Sequence, residues 1–162
     1  MNDSAQTAEL SPGHQINIRR AVAPDVRQVV AIDARVTGNG KPDYWQDIYE
    51  RYATRRLDER FFLVAEAGAD QHVVGYMIGE VRIWEFGSEP CGWIFAFAVD
   101  PDSRLQGIGE KLFKEISDEF QNIGLKIMRT MVLRQDQLPM GFFRSEGMVA
   151  GPYIQLEKEL DE

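Results

Sequence analysis

The chain has one cysteine, Cys91, and two histidines, His14 and His72, among its 162 residues. A lone cysteine permits no internal disulfide, and so few soft ligands cannot be spaced into a zinc site, so no metal is expected. A reducing, cytoplasmic setting is the expectation that follows. Long apolar runs are also missing. The longest, Trp93 to Val99, is far too short for a membrane span. The opening MNDSAQTAELSPGHQ has neither a basic n-region nor an apolar h-region, so no secretory signal is expected. Positive charge is scarce: 18 Lys and Arg stand against 26 Asp and Glu, a net charge of −8. A duplex nucleic-acid binder normally shows the reverse balance. The average field would instead favour a cationic partner.

What is present is the composition of an ordinary globular protein, 44% hydrophobic and 27% charged. The length suits one domain with a substantial core. Residues 1–14 are polar and close on Pro12-Gly13, which reads as a mobile tail ahead of a single domain over 15–162.

Along the chain, Ile16 to Arg19 alternates and suits a first strand. Ala23-Pro24-Asp25 opens a helix, although its valines make strand the competing reading. After the break Thr37–Pro42, a second helix is expected with Asp43 as cap and Trp45, Ile48, Tyr49 and Tyr52 on one face. Phe61 to Glu66 reads as a buried strand, Gly68–Gln71 as a hairpin turn, and His72 to Phe86 as a long return strand. Gly75 and Gly79 mark bulges or close approaches in it. After the central segment come a strand over Ile127–Leu133, a short helix over Leu138–Glu146 and a closing alternating strand over Tyr153–Glu157. The order β-α-α-β-β-β-α-β-α-β predicts an α/β (α+β) fold, a mixed sheet flanked by helices.

The stretch Trp93–Gln121 organises the rest. Trp93–Val99 is a buried strand, Asp100–Ser103 is turn chemistry, and Ile108, Leu112, Ile116 and Phe120 form one helical stripe. Between turn and helix stand Arg104-Leu105-Gln106-Gly107-Ile108-Gly109. Glycines without a Cβ let a ligand approach the backbone. The first helical turn offers N–H groups without intrahelical partners and the positive end of the helix dipole. Arg104 adds a full charge, so the segment predicts a cradle for a phosphate or pyrophosphate. It is not a P-loop, since Glu110-Lys111 follow Gly109, and not a dinucleotide fingerprint, since Leu112 stands where the third glycine is required.

The segment resembles the signature of the GNAT N-acetyltransferases, Arg/Gln-x-x-Gly-x-Gly/Ala after a strand and a Pro-containing turn. Arg104, Gly107 and Gly109 hold its defining places, and Val99, Pro101 and Leu112 match its flanks. The resemblance covers about residues 16 to 158 and implies acetyl-CoA as donor. It implies that backbone amides of Phe97, Ala98 and Val99 bond the pantetheine arm and thioester. The amides of Leu105, Gln106, Gly107, Ile108, Gly109 and Glu110, with Arg104, would hold the pyrophosphate. The aromatic stripe of the second helix reads first as core packing; the resemblance implies an acceptor pocket there, with Tyr44 and Trp45 as candidate contacts, and admits a homodimer. The acceptor would be a small-molecule amine or a peptide.

One departure matters. The family's later pattern carries an Asn, then a Tyr that protonates the leaving thiolate; here Asp136 and Phe143 stand in those places. Phe143 has no titratable proton and is left to pack against the cofactor arm. The thiolate leaves unaided or takes a proton from water, Tyr153 or Tyr76. For the general base, Glu80, Glu85 and Asp136 are the candidates, and a water chain is the alternative to all three. Two functions are therefore carried forward: an N-acetyltransferase working by direct transfer in a ternary complex, and a non-catalytic acyl-CoA sensor of the same fold.

Overall fold

Among the described residues, short alternating or continuous apolar runs form five strands, and segments with apolar residues every third or fourth position form four α-helices. The computed structural model describes residues 15–104 and 106–161. The expected 1–14 tail and Leu105 lie outside the described residues. The elements are β1 (Ile16–Arg20), α1 (Asp25–Thr37), α2 (Pro42–Tyr52), β2 (Arg60–Ala67), β3 (His72–Arg82), β4 (Cys91–Val99), α3 (Ile108–Asn122), β5 (Met128–Thr130) and α4 (Gln137–Ser145). Two compact units result. The described residues up to Met131 form the first, and the second begins at Val132.

In the first unit the sheet order is β1-β2-β3-β4-β5. The first four strands are antiparallel, and β5 runs parallel to β4. This is the mixed, mostly antiparallel sheet that the element order predicts. No described helix is long and apolar enough to cross a membrane.

The two sheet faces are packed differently. On one face α1 and α2 bury Val29, Ile32, Trp45 and Ile48 against Phe62, Val64, Tyr76 and Ile78. The other face carries α3, and there Phe61 meets Phe120 edge-on while three glycines let the helix come close to the backbone. A Cβ on Gly75 would stand 3.1 Å from Ile108 Cγ2, one on Gly79 2.9 Å from Ile116 Cδ1, and one on Gly92 2.4 Å from Phe120 Cδ2. These three glycines leave a trough into which the Ile108–Leu112–Ile116–Phe120 stripe settles, at the close packing typical of protein interiors. The helix is thereby fixed with its N-terminus beside the end of β4.

Four expectations are corrected. The cap of α2 is Lys41, in the left-handed region at φ 51°, and Pro42 is the first helical residue; Asp43 sits in the first turn and caps nothing. β3 stops at Arg82, because Trp84 and Phe86 both take positive φ, at 58° and 51°, and break the ladder. β5 is only Met128–Thr130. Tyr153–Glu157 alternates as a strand should but forms none.

Candidate active site

The cradle begins where β4 ends. Asp100 accepts the Asp102 N–H at 3.0 Å and closes a 3₁₀ turn over Pro101–Ser103. Arg35, near the end of α1, pairs with Asp100 and reaches Asp102 Oδ2 at 3.0 Å, tying the turn to the helix on the opposite face. The chain then reaches Gly107 at φ 73°, a conformation that favours glycine, which is the cap of α3. No side chain caps this end. The first helical bond is Lys111 N–H to Gly107 O, at 3.1 Å. The N–H groups of Ile108, Gly109 and Glu110 therefore lack intrahelical acceptors and point out of the helix mouth. Ile108 is buried, which anchors that mouth, while Arg104 and Gln106 are exposed beside it.

One feature opposes an anion here. The Glu110 carboxylate lies 3.1 Å from where a Cβ on Gly107 would stand. An acid in the first turn suits the helix dipole, and it competes with a phosphate for the same amides.

Beyond the cradle, β4 parts from β5. The parallel ladder pairs Gly92, Trp93 and Ile94 with Met128, Arg129 and Thr130, and ends there. The Thr130 hydroxyl donates to the Ile94 carbonyl at 2.9 Å at that last rung. The β3 register slips at the same level, with Gly79 opposite Ile94 and Ile78 opposite Ala96, so Phe95 is a bulge. Its extra residue reverses which backbone groups face which neighbour. Asp100 N–H bonds Val74 O at 2.7 Å, so Asp100 and, by alternation, Ala98 face β3. Phe97 and Val99, by the same alternation, direct their N–H groups to the β5 side, beyond the last rung of the β4–β5 ladder at Ile94 and Thr130. Of the strand residues nominated from sequence, Ala98 is thus corrected: its amide serves the sheet.

The α1/α2 face carries the nominated carboxylate Glu80, opposite Trp93 and one step from the bulge. It accepts the Tyr52 hydroxyl at 3.2 Å and faces Arg82 Nε at 3.4 Å. Burial, and then the Glu80 charge, raises the Tyr52 pKa above its ordinary value. The Tyr52 ring packs on Phe95 at 4.8 Å, linking the carboxylate to the bulge. Glu85 is exposed on the following turn, 3.8 Å from Arg82 Nη1. Cys91, at the start of β4, is buried.

Trp45 is a second correction. It is 3% exposed, its Nε1 donates to Asp33 Oδ2 at 2.7 Å, and its ring meets Tyr76 edge-on at 5.0 Å. It is core and cannot touch a substrate, whereas its neighbour Tyr44 is exposed. Tyr76 is buried on the same face, and burial followed by the Asp33 charge raises its pKa, so its hydroxyl stays protonated. Asp136 and Phe143 belong to the second unit: Asp136 is the cap of α4, and Phe143 is buried on that helix, edge-on to Phe142 at 5.1 Å. Tyr153 lies in the same unit, after α4.

Sequence reasoning missed Arg35 and Tyr52 as supports of the site. Both act across long separations, which no local spacing encodes. The Phe95 bulge left no signal either, since Trp93–Val99 reads as an unbroken apolar run.

The fold has known counterparts. A transcriptional regulator from Bacillus halodurans C-125 matches with a TM-score of 0.75 at 19% identity, over 90% of this chain and 100% of that one. The aminoglycoside N-acetyltransferase AAC(6')-Iy, crystallised with CoA, matches with a TM-score of 0.75 at 14% identity, over 90% and 95%. Glucosamine-6-phosphate N-acetyltransferase from Arabidopsis thaliana matches with a TM-score of 0.70 at 17% identity, over 91% and 99%. Such low identities speak for the fold alone. The acetyltransferase (GNAT) family model, however, matches residues 26–147, three quarters of the sequence and the whole of the cradle. The chain belongs to the acetyltransferase (GNAT) family.

Proposed function

We propose that the protein transfers an acetyl group from acetyl-CoA to a primary amine, on a small molecule or a peptide, by direct attack in a ternary complex. The observation that carries this reading is the pairing of an uncapped α3 mouth, opened by left-handed Gly107, with a β4 that leaves β5 after Ile94. The helix mouth with Arg104 suits a pyrophosphate. The N–H groups of Phe97 and Val99 are directed where a thioester arm would run and a carbonyl oxygen would gain charge. Acetyl-CoA supplies the activated acetyl thioester. The ammonium loses one proton to Glu80 or to water before attack; the C–N bond forms as the C–S bond breaks, the nitrogen releases its second proton to water as the amide forms, and the thiolate takes a proton from solvent. The cytoplasm is the proposed setting, on the strength of the single cysteine.

Calorimetric titration with acetyl-CoA, followed by thiol release over a panel of amines and peptides, tests the proposal. Sub-millimolar binding and amine-dependent thiol release are expected. Absence of binding would reject both the enzyme and any CoA-dependent alternative. A second reading, a non-catalytic acyl-CoA sensor, is favoured by one observation: Phe143 stands where the resembling enzymes carry an acidic Tyr and offers no proton. Tight binding without thiol release on any amine would select it.

A further inference from the structure

The turn between β3 and β4 holds two aromatic residues in strained backbone. Trp84 and Phe86 both take the left-handed region, at φ 58° and 51°, where bulky side chains are outliers. Neither gains burial by it: Trp84 is 67% exposed, Phe86 89% and the adjacent Ile83 62%. Scattered exposed apolar residues need no explanation, but three within four positions make a patch.

Two arginines beside Trp93 tie this turn down. Arg82 lies over the Trp93 ring at 4.5 Å, with Nη1 3.8 Å from Glu85 Oε2. Arg129, the register partner of Trp93 on β5, donates to Ser88 Oγ at 2.6 Å. Arg82 Nε also faces Glu80 at 3.4 Å, so one guanidinium joins the turn to the carboxylate nominated as base. Glu80, Glu85 and Glu89 outnumber Arg82 and Arg129 here, which suits a cation arriving along this side. Distance then sets the kind of acceptor. Cys91 pairs with Arg82 beside the turn, and β4 runs from there to the Phe95 bulge, about 13 Å at about 3.3 Å per residue. A small amine does not span that, whereas an extended peptide does so in about four residues.

We propose that the aromatic turn selects the acceptor: the amine is the N-terminus of an extended peptide that lays a large apolar side chain, near its start, on Trp84 and Phe86. This rests on the acetyl transfer proposed above and narrows its acceptor. Rigid aromatic rings offer contact area at low entropic cost, and a turn already held in place loses less freedom on binding. The ammonium end then passes Glu85 and Arg82 toward Glu80. An anionic membrane is the poorer occupant, since it repels the three carboxylates and a chain of net charge −8.

Short glycine peptides with a free N-terminus test this, with and without a single Phe at each of the second to fifth positions. Thiol release from acetyl-CoA should give the best Phe peptide a kcat/KM about tenfold above that of the all-glycine peptide, as burial of much of one apolar side chain would. Trp84→Asn combined with Phe86→Asn should make the two peptides react alike, with acetyl-CoA affinity retained. Asparagine tolerates positive φ, so the turn keeps its shape. Equal rates for both peptides in the wild type, or a preference that survives the double substitution, would overturn the proposal. Phenethylamine reacting as well as the best peptide would overturn it too. Calorimetry of the same peptides on CoA-loaded protein separates this inference from the transfer reading. If no acceptor releases thiol, transfer alone fails where the Phe peptide binds the wild type and not the variant. Equal binding to both, or to neither, sinks the aromatic turn as well.

Discussion

Arg35 on α1 and Asp100 at the end of β4 form an ion pair across 65 residues of sequence, and the same guanidinium holds Asp102. The turn that aims the helix mouth is thus braced from the opposite side of the sheet. The Arg35 side chain is 42% exposed, so the pair itself contributes little stability, about 0–1 kcal/mol. Arg35→Ala should therefore leave the melting temperature nearly unchanged and weaken CoA binding several-fold. Calorimetry beside a thermal melt separates the two effects. A large loss of stability with unchanged affinity would assign Arg35 to the fold instead.

Glu110→Gln should tighten CoA binding, with the gain largest at low salt. Its carboxylate sits against the Gly107 end of the mouth and repels a phosphate there. Removing the charge keeps the backbone amide and relieves the repulsion, which ionic strength otherwise screens. Titrations at two salt concentrations check this; unchanged affinity at both would place the carboxylate away from the bound anion.

Gly92→Ala should destabilise the fold by about 1–3 kcal/mol, as overpacking does. Its Cβ would meet the Phe120 ring at 2.4 Å, so α3 or the ring must shift. Chemical denaturation measures the loss, and a paired Phe120→Leu should recover part of it. The part of β4 proposed to meet the thioester begins after Ile94, so CoA binding in the folded fraction should survive.

Stability should fall in acid partly through Glu66. Hydrogen bonds from Asn17, then Arg19, hold its carboxylate below its ordinary pKa. A carboxylate lowered on folding adds stability above the unfolded pKa and loses it as pH drops through the folded one. Glu66→Gln should thus cost stability at neutral pH, by about 1–3 kcal/mol for a buried hydrogen-bonded charge, and the difference should shrink as pH falls below the ordinary glutamate range and through the lowered folded pKa. Denaturation curves of both proteins across that range test the sign.

Much of the fold and half of the site could be read from residues alone. The α3 stripe, the turn at Asp100-Pro101 and the Gly107 mouth are local: spacing, a missing N–H and a missing Cβ each act within a few residues. Even Gly75 and Gly79 announced close approach, though not that α3 was the visitor. Trp45 was misjudged because an aromatic stripe does not say which member faces Asp33. Ala98 was misjudged because a bulge at Phe95 changes the parity of the whole strand end and depends on β3. The closing strand failed for another reason. Ile154 and Leu156 have the pattern of a strand, but a strand exists only where a neighbour supplies its hydrogen bonds.

The central claim is that backbone amides at Gly107–Glu110 grip the diphosphate of CoA. Titration of Gly107→Val against the wild type with acetyl-CoA tests it most directly. A Val there is strained at φ 73° and places methyl groups over the mouth. Sub-millimolar binding by the wild type is expected, with at least a tenfold loss, about 1.4 kcal/mol, in a variant that still folds. Equal dissociation constants for the two folded proteins would contradict it.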